Sequence, residues 1–201
     1  MVYELDDDPY IDLKNGVLFN LFNAKDKKTL DQIEAELTVT AITTIIEDPI
    51  VGKFDLKHLM AVHKRLFSDI YSWAGKLRTV EISKGNTKFA SVEYLEQAAN
   101  NVFYELKSEK YLDDLGDEEY AVRFAHYYSE VNILHPFREG NGRAERAFFT
   151  LLAQRSGRYV LWNMMDPDKA LIACVEAYNN DEKNLVVLLK PLLLKNESKK
   201  L

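Results

Sequence analysis

Apolar residues recur at helical spacing along most of the chain, which predicts a protein built mainly from α-helices. Aspartate, proline and glycine residues separate the periodic stretches and mark where helices begin and end. Asp55 is placed to cap the second helix, and Gly157 to close the fifth. The predicted helices cover residues 26–48, 54–73, 91–109, 118–134, 143–157, 168–181 and 182–194.

One region departs from the helical pattern. In residues 77–83 and 87–90, β-branched side chains alternate with polar ones, and Lys84-Gly85-Asn86 between them is typical of a turn. This pattern predicts one β-hairpin. The residues before 26 carry turn signals and no periodicity. The predicted fold is therefore all-α, a helical bundle with one β-hairpin.

Composition narrows the class of protein. The net charge of -6 argues against a dedicated nucleic-acid binder, although it allows a local basic patch. The single cysteine, Cys174, excludes an intrachain disulfide and fits a reducing compartment. The longest apolar run, residues 185–194, is too short to span a bilayer, and the first residues do not resemble a signal peptide. We therefore expect a cytoplasmic protein with no membrane contact and no direct nucleic-acid partner.

The stretch HPFREGNGRAER, residues 135–146, concentrates groups suited to binding an anion. Gly140, Asn141 and Gly142 allow successive backbone amides to form a concave nest at the start of a helix. Arg143 and Arg146 lie one turn apart in that helix, where each exposed cation costs about 0.3–1 kcal/mol against the helix dipole. A bound polyphosphate would reverse the sign of this cost, so the stretch predicts a polyphosphate site.

Two further groups in this stretch suggest chemistry. Glu139 would repel a phosphate unless Mg²⁺ lay between them, since this ion accepts carboxylate and phosphate oxygens together. His135 ends the preceding helix and can act as a general base near neutral pH. The alternative interpretation is a plain turn between two helices, with solvated arginines.

The stretch resembles the signature of the Fic family, His-Pro-Phe-x-(Asp/Glu)-Gly-Asn-Gly-Arg-x-x-Arg, at every specified position. The matching positions are His135, Pro136, Phe137, Glu139, Gly140, Asn141, Gly142, Arg143 and Arg146. Residues 63–90 also resemble the helix and "flap" hairpin of this family. The resemblance divides the chain into an N-terminal segment and helix (1–53), a Fic core (54–190) and a C-terminal tail (191–201).

The resemblance implies an enzyme that moves AMP from ATP to a hydroxyl group of a target protein. His135 would deprotonate that hydroxyl, Glu139 would hold Mg²⁺, and Arg146 would bind the γ-phosphate. Phosphate contacts would come from Gly140, Asn141, Gly142 and Arg143. Tyr178 would lie near the nucleotide base, although a capping or core role fits it equally well.

The hairpin would then align the target segment by strand-like pairing, with a surface decoration as the alternative. Its residues are Ile82, Ser83, Lys84, Gly85, Asn86, Thr87, Lys88 and Phe89.

Two features bear on the subtype. The related Doc-type kinases have a lysine where this chain has Gly142, which favours transfer of a nucleotide over transfer of a phosphate. The sequence contains no match to the inhibitory segment of many Fic proteins, Ser/Thr-x-x-x-Glu-(Gly/Asn). The nearest stretch, Thr43 to Glu47, is followed by Asp48 and not by Gly or Asn.

The chain therefore resembles stand-alone, class I-like Fic toxins. In such toxins a separate small helical antitoxin supplies a glutamate, which here would lie near Arg146. The implied targets include DNA gyrase and topoisomerase IV. The alternatives are a catalytically idle Fic-fold binding module and a kinase or other nucleotidyl transferase on the same scaffold.

Overall fold

The computed structural model describes residues 8–85 and 87–196, and helices dominate this part of the chain. Its seven α-helices are α1 (Lys27–Glu47), α2 (Leu56–Phe67), α3 (Leu95–Ser108), α4 (Asp117–Leu134), α5 (Asn141–Arg155), α6 (Pro167–Tyr178) and α7 (Lys183–Leu189). The predicted helical fold is confirmed. None of these described helices has the length and apolarity needed to cross a bilayer.

The core forms around α4 and α5, which pack together on either side of the loop 135–140. Helix α2 packs against α5, and α3 packs against α4. Phe124, Phe148 and Phe149 are fully buried between these helices. Burying each of these rings contributes roughly 1.5–3 kcal/mol. The signature loop therefore joins two helices that each contribute many buried residues to the core.

Three short antiparallel strand pairs decorate the helices. They are β1–β2 (Ile11–Asp12 with Val17–Leu18), β3–β4 (Ser83–Lys84 with Thr87–Lys88) and β5–β6 (Arg158–Val160 with Leu193–Lys195). The predicted hairpin around residues 84–86 is confirmed as β3–β4. The prediction of a single hairpin is wrong, because strands of two or three residues are too short to show an alternating pattern.

The second helix is shorter than predicted. It begins at the predicted cap, since the Asp55 side chain accepts a hydrogen bond from the His58 amide. It ends at Phe67, however, and the chain continues through successive turns in which Ile70 and Tyr71 are buried. Turn residues packed into a core can keep helix-like apolar spacing, so periodicity alone places the boundary too late.

Residues 77–82 were predicted as the first strand of the hairpin, and this is wrong. In their place, the fully buried Arg78 donates hydrogen bonds to the carbonyl oxygens of His135 (2.9 Å), Val80 (2.9 Å) and Ala90. The Arg78 amide also donates to the Pro136 carbonyl at 2.9 Å. Hydrogen bonding to the signature loop replaces the strand ladder here.

Both ends of the described chain contact the core. At the start, Asp8 forms a buried ion pair with Arg138 of the signature loop, with Nη2 of the arginine 2.6 Å from the carboxylate. At the other end, β6 pairs with β5, although it lies in the predicted tail 191–201. The predicted domain boundaries at 53/54 and 190/191 stay predictions.

Candidate active site

Two left-handed residues set the shape of the signature loop. His135 ends α4 with a φ of 43°, and Gly140 precedes α5 with a φ of 80°. A Cβ atom at Gly140 would lie 2.3 Å from Cζ of Phe67, so only glycine fits there. Gly142 already belongs to the first turn of α5 and, unlike Gly140, has no positive φ. The nest therefore rests on one left-handed glycine.

His135 is held as a neutral imidazole, and one of its ring nitrogens bonds to no described residue. Its Nδ1 lies 3.1 Å from the carbonyl oxygen of Asn132, and because a carbonyl only accepts, Nδ1 carries the hydrogen. Burial lowers the pKa of His135 to about 4, and the charges of Arg78 and Lys84 act in the same direction. Nε2 thus keeps its lone pair at neutral pH. The Phe89 ring stacks on the imidazole, with centroids 3.8 Å apart.

The start of α5 offers amides to an anion. The amide of Gly140 donates to Oε1 of Glu139 at 2.9 Å, and the amides of Asn141 and Gly142 donate to no described residue. The Asn141 side chain is used by the loop itself. It accepts from the Phe137 amide (2.8 Å) and donates to the Phe137 carbonyl (2.7 Å). Any role of Asn141 in anion binding therefore falls to its backbone.

The two signature arginines lie one turn apart on α5, as predicted, but their side chains have different surroundings. The Arg143 guanidinium forms an ion pair with Glu34 of α1 and lies 4.7 Å above the Phe67 ring. The Arg146 side chain instead lines a cavity bordered by the hairpin, α4 and α6, and Arg143 is not among the residues that line it. The two positions are three residues apart on α5, close to one helical turn, so the different partners of the two side chains, and not the rotation of the helix, set them apart.

That cavity has a volume of about 490 Å³, within the usual range for small-molecule sites. The hairpin, α4, the signature and α6 all contribute to its walls. Residues on its walls include Lys84, Thr87, Phe89, Asn132, His135, Gly142, Glu145, Arg146, Cys174 and Tyr178. The structure thus brings His135, Gly142, Arg146, Tyr178 and part of the hairpin together.

The predicted hairpin residues do not share one environment. Lys84, Thr87 and Phe89 line the cavity, whereas Ile82 is buried and is not among the lining residues. Ser83 pairs with Lys88, and Gly85 takes a φ of 57° in the turn. Asn86 lies outside the described residues. Target docking by this hairpin stays a prediction.

Glu139 retains the capacity to bind a metal ion. One of its oxygens, Oε1, accepts from the Gly140 amide and lies 3.8 Å from Arg143, while the side chain remains partly exposed. Magnesium takes one or two protein carboxylates and completes its shell with phosphate and water oxygens. A single accessible carboxylate beside the amide nest fits that donor set.

Sequence reasoning missed several residues that build the site. Glu34 receives hydrogen bonds from Arg143 and from the buried Tyr71 hydroxyl, and Asn132 links His135 to the buried Glu145. A signal for Glu34 exists, since it shares the buried stripe of α1 with Leu30 and Thr38. A carboxylate on such a stripe requires a buried partner. For Arg78, Asn132 and Glu145 we find no comparable signal in the sequence.

The family model and the similar proteins all point to the same family. The model of the Fic/DOC family matches residues 53–153. The chain is 37% identical to the protein adenylyltransferase VbhT of Bartonella schoenbuchensis over 94% of this chain, but it spans only 39% of VbhT. It is 37% identical to "Probable protein adenylyltransferase Fic" of Escherichia coli K12, over 80% of each chain. The Salmonella typhimurium protein of the same name is 40% identical, over 77% of this chain and 76% of the relative.

Solved structures share the fold. An N-terminal Fic domain from Bartonella quintana with bound ADP superimposes with a TM-score of 0.87 at 23% identity, over 94% of this chain and 96% of that one. The BepC protein of Bartonella tribocorum with bound AMPPNP gives 0.86 at 23% identity, over 92% and 96%. At this level of identity, the likeness supports the fold alone.

Proposed function

Because the chain belongs to the Fic/DOC family, we propose that it is a protein adenylyltransferase that transfers AMP from ATP to a hydroxyl side chain of a target protein. Relatives at 37–40% identity bear that name. The observation that carries the proposal is the cavity that joins the free Nε2 of His135 to Arg146 and to the start of α5.

The geometry suits in-line transfer of a nucleotide. Nε2 of His135 takes the proton from the target hydroxyl, and the resulting oxygen attacks the α-phosphorus of ATP. The new O–P bond forms as the bond from the α-phosphorus to the bridging oxygen breaks, and pyrophosphate leaves. The unpartnered amides of Asn141 and Gly142 stabilise the charge that develops on the α-phosphate. Arg146 holds the terminal phosphates from the cavity wall.

Glu139 is the residue that would hold Mg²⁺, and the bound ion would neutralise part of the negative charge of the ATP phosphates. Arg143 acts indirectly in this proposal. Its ion pair with Glu34 fixes the first turn of α5, and it lies 3.8 Å from Glu139, so it orients the carboxylate and the amides.

Labelled ATP tests the reaction. A lysate incubated with the protein, Mg²⁺ and α-labelled ATP should acquire protein-bound label, and γ-labelled ATP should give none. Label from γ alone would mean a kinase and would contradict the proposal, as would no label from either in a preparation free of inhibitor. The His135→Ala variant should lose labelling and keep its circular dichroism spectrum, and full activity in this variant would refute the role of the base.

We further propose that the protein works as a toxin on type II topoisomerases, DNA gyrase and topoisomerase IV, in the cytoplasm, and is silenced by a small helical antitoxin. The absence of the inhibitory segment from the sequence supports a separate inhibitor. Arg146 lines the cavity and interacts electrostatically with the buried Glu145, but it forms no ion pair with a described carboxylate, so an inhibitory glutamate could pair with its guanidinium.

Purified topoisomerase subunits and a candidate antitoxin test these finer points. Gyrase and topoisomerase IV subunits should be labelled from α-labelled ATP, and unlabelled subunits beside labelled lysate proteins would exclude them as targets. The Arg146→Ala variant should weaken the binding of ATP and of the antitoxin together. Loss of only one would show that the two ligands do not share the site.

A further inference from the structure

Glu145 lies in the wall of the cavity, one residue before Arg146, and its place in the signature is an unspecified one. The residue is only 3% exposed. Its Oε2 accepts a hydrogen bond from Nδ2 of Asn132 at 3.0 Å, while Oε1 is buried and has no hydrogen-bond partner among the described residues. An ionised carboxylate that is buried with one oxygen lacking a hydrogen bond would strongly destabilise the fold, so the protonation state of Glu145 needs an explanation.

The surroundings favour the neutral acid. Burial raises the pKa of Glu145 to about 8, and the Asn132 hydrogen bond and the Arg146 charge offset only part of this effect. With Oε2 accepting from Asn132, the proton of the neutral form belongs on Oε1.

The other titratable neighbours are Tyr128 of α4 and Cys174 of α6. Burial raises the pKa of Tyr128 well above 10 and that of Cys174 to about 12. Around pH 8, Glu145 is therefore the group of this cluster that changes charge.

The position of Glu145 matters because, under the proposed function, the same cavity binds the negatively charged triphosphate of ATP. Arg146 also lines the cavity and directly follows Glu145 in the sequence. Its positive charge interacts electrostatically with the Glu145 carboxyl. An ionised Glu145 would neutralise part of the charge of Arg146 and repel phosphates in a poorly solvated space. A neutral Glu145 does not offset the charge of Arg146.

We propose that Glu145 is a further determinant of nucleotide binding: the cavity binds ATP while the Glu145 carboxyl is neutral and rejects it once the carboxyl is ionised. This inference rests on the proposed function, because it takes ATP as the occupant of the cavity. It assigns the residue a role in binding and in the pH range of activity. His135 does not share that range, since burial lowers its pKa to about 4.

Calorimetric titration with AMPPNP tests the inference in the wild type and in Glu145→Gln, which keeps the shape and stays neutral. If only the neutral form binds, the wild-type affinity should fall about tenfold between pH 7 and pH 9, following the fraction of neutral Glu145. Glu145→Gln should show only the change that AMPPNP itself causes. Parallel profiles for the two proteins would overturn the inference.

The matched control is Glu130→Gln on α4. Burial also raises the pKa of Glu130, but this residue does not line the cavity. The control variant should keep the wild-type pH profile. If Glu130→Gln flattens the profile as Glu145→Gln does, the effect is not specific to the cavity and the inference fails.

A second measurement covers the case in which Glu145→Gln does not fold. The carboxyl carbons of the wild type, labelled with ¹³C-glutamate, should include one that titrates near pH 8, and its midpoint should rise when AMPPNP binds, by reciprocity of the two equilibria. An unchanged midpoint would contradict the inference while leaving the proposed function intact. A wild type that binds no AMPPNP at pH 7 would instead remove the proposed function and this inference with it.

Discussion

Two sets of one histidine, one glutamate and one arginine lie on opposite sides of the start of α5. The packed set is His63, Glu34 and Arg143, and the cavity set is His135, Glu145 and Arg146. In the packed set every group has a partner: His63 accepts from the Gly75 amide (2.9 Å) and donates to the Glu139 carbonyl (2.9 Å), and Glu34 pairs with Arg143.

The cavity set leaves corresponding groups unused. His135 has a free Nε2, and Oε1 of Glu145 has no described hydrogen-bond partner. Both histidines have a pKa lowered to about 4 by burial, and each stacks on a phenylalanine with centroids 3.8 Å apart. Burial and aromatic contact therefore do not distinguish a structural histidine from a candidate base. What distinguishes the candidate base is that one nitrogen of His135 makes no hydrogen bond to a described residue, whereas both nitrogens of His63 do.

The largest effect should come from removing the acid of the packed set. Glu34→Ala leaves the Arg143 guanidinium and the Tyr71 hydroxyl without their buried partner, which should lower the free energy of unfolding by about 3–5 kcal/mol. Urea denaturation measures this loss. Glu36→Ala, an exposed position on the same helix, should change stability by less than about 0.5 kcal/mol. Equal effects at the two positions would show that the ion pair contributes little.

The two histidines should contribute similarly to the pH dependence of stability. A histidine with a pKa of about 4 in the folded protein and about 6.5 in the unfolded chain stabilises the fold above pH 6.5, and this contribution is lost as the pH falls toward 4. Between pH 6.5 and 4.5 the stability difference between wild type and His63→Gln should shrink by about 2–3 kcal/mol. His135→Gln should behave alike. Only His135→Gln should abolish AMP transfer, and an unchanged difference with pH would mean that His63 protonates normally when folded.

The arginines should separate binding from stability. Arg146→Ala should weaken ATP binding by about 1.5–3 kcal/mol, roughly 10- to 150-fold, because a charged hydrogen-bond donor to the phosphates is lost. Its melting temperature should barely change, whereas Arg143→Ala should melt lower because Glu34 loses its partner. Calorimetry and thermal melting measure the two quantities. A reversal of these two patterns would mean that Arg143, not Arg146, contacts the phosphates.

The smallest effect concerns the ring above His135. Phe89→Ala should shift the pH profile of transfer toward neutral by up to about one pH unit, since it removes a stacking contact of about 0.5–1.5 kcal/mol and lets water reach the imidazole. Phe137, the ring on His63, is fully buried. Phe137→Ala should act mainly on stability and leave the profile in place. An identical shift from both variants would deny Phe89 its specific role.

The sequence predicted the helices and the signature residues because both depend on local patterns. Apolar spacing fixes which face of a helix is buried, and the order of residues 135–146 fixes a chemistry. It did not predict that Arg143 and Arg146 diverge, which depends on the distant Glu34 of α1 and on the cavity wall. The β5–β6 pairing and the role of Arg78 were missed for the same reason, since their partners lie far away along the chain.

Arg78 has a mechanical consequence. A single guanidinium holds the carbonyls of Val80 and Ala90, at the two stems of the hairpin, and the carbonyl of His135 itself. The surface that would receive a target segment and the imidazole that would activate its hydroxyl are thereby tied to one rigid anchor. A target segment paired with the hairpin would therefore hold its residues at fixed distances from the base. Selectivity among neighbouring hydroxyls would then come from the register of this pairing and not from the affinity of the peptide.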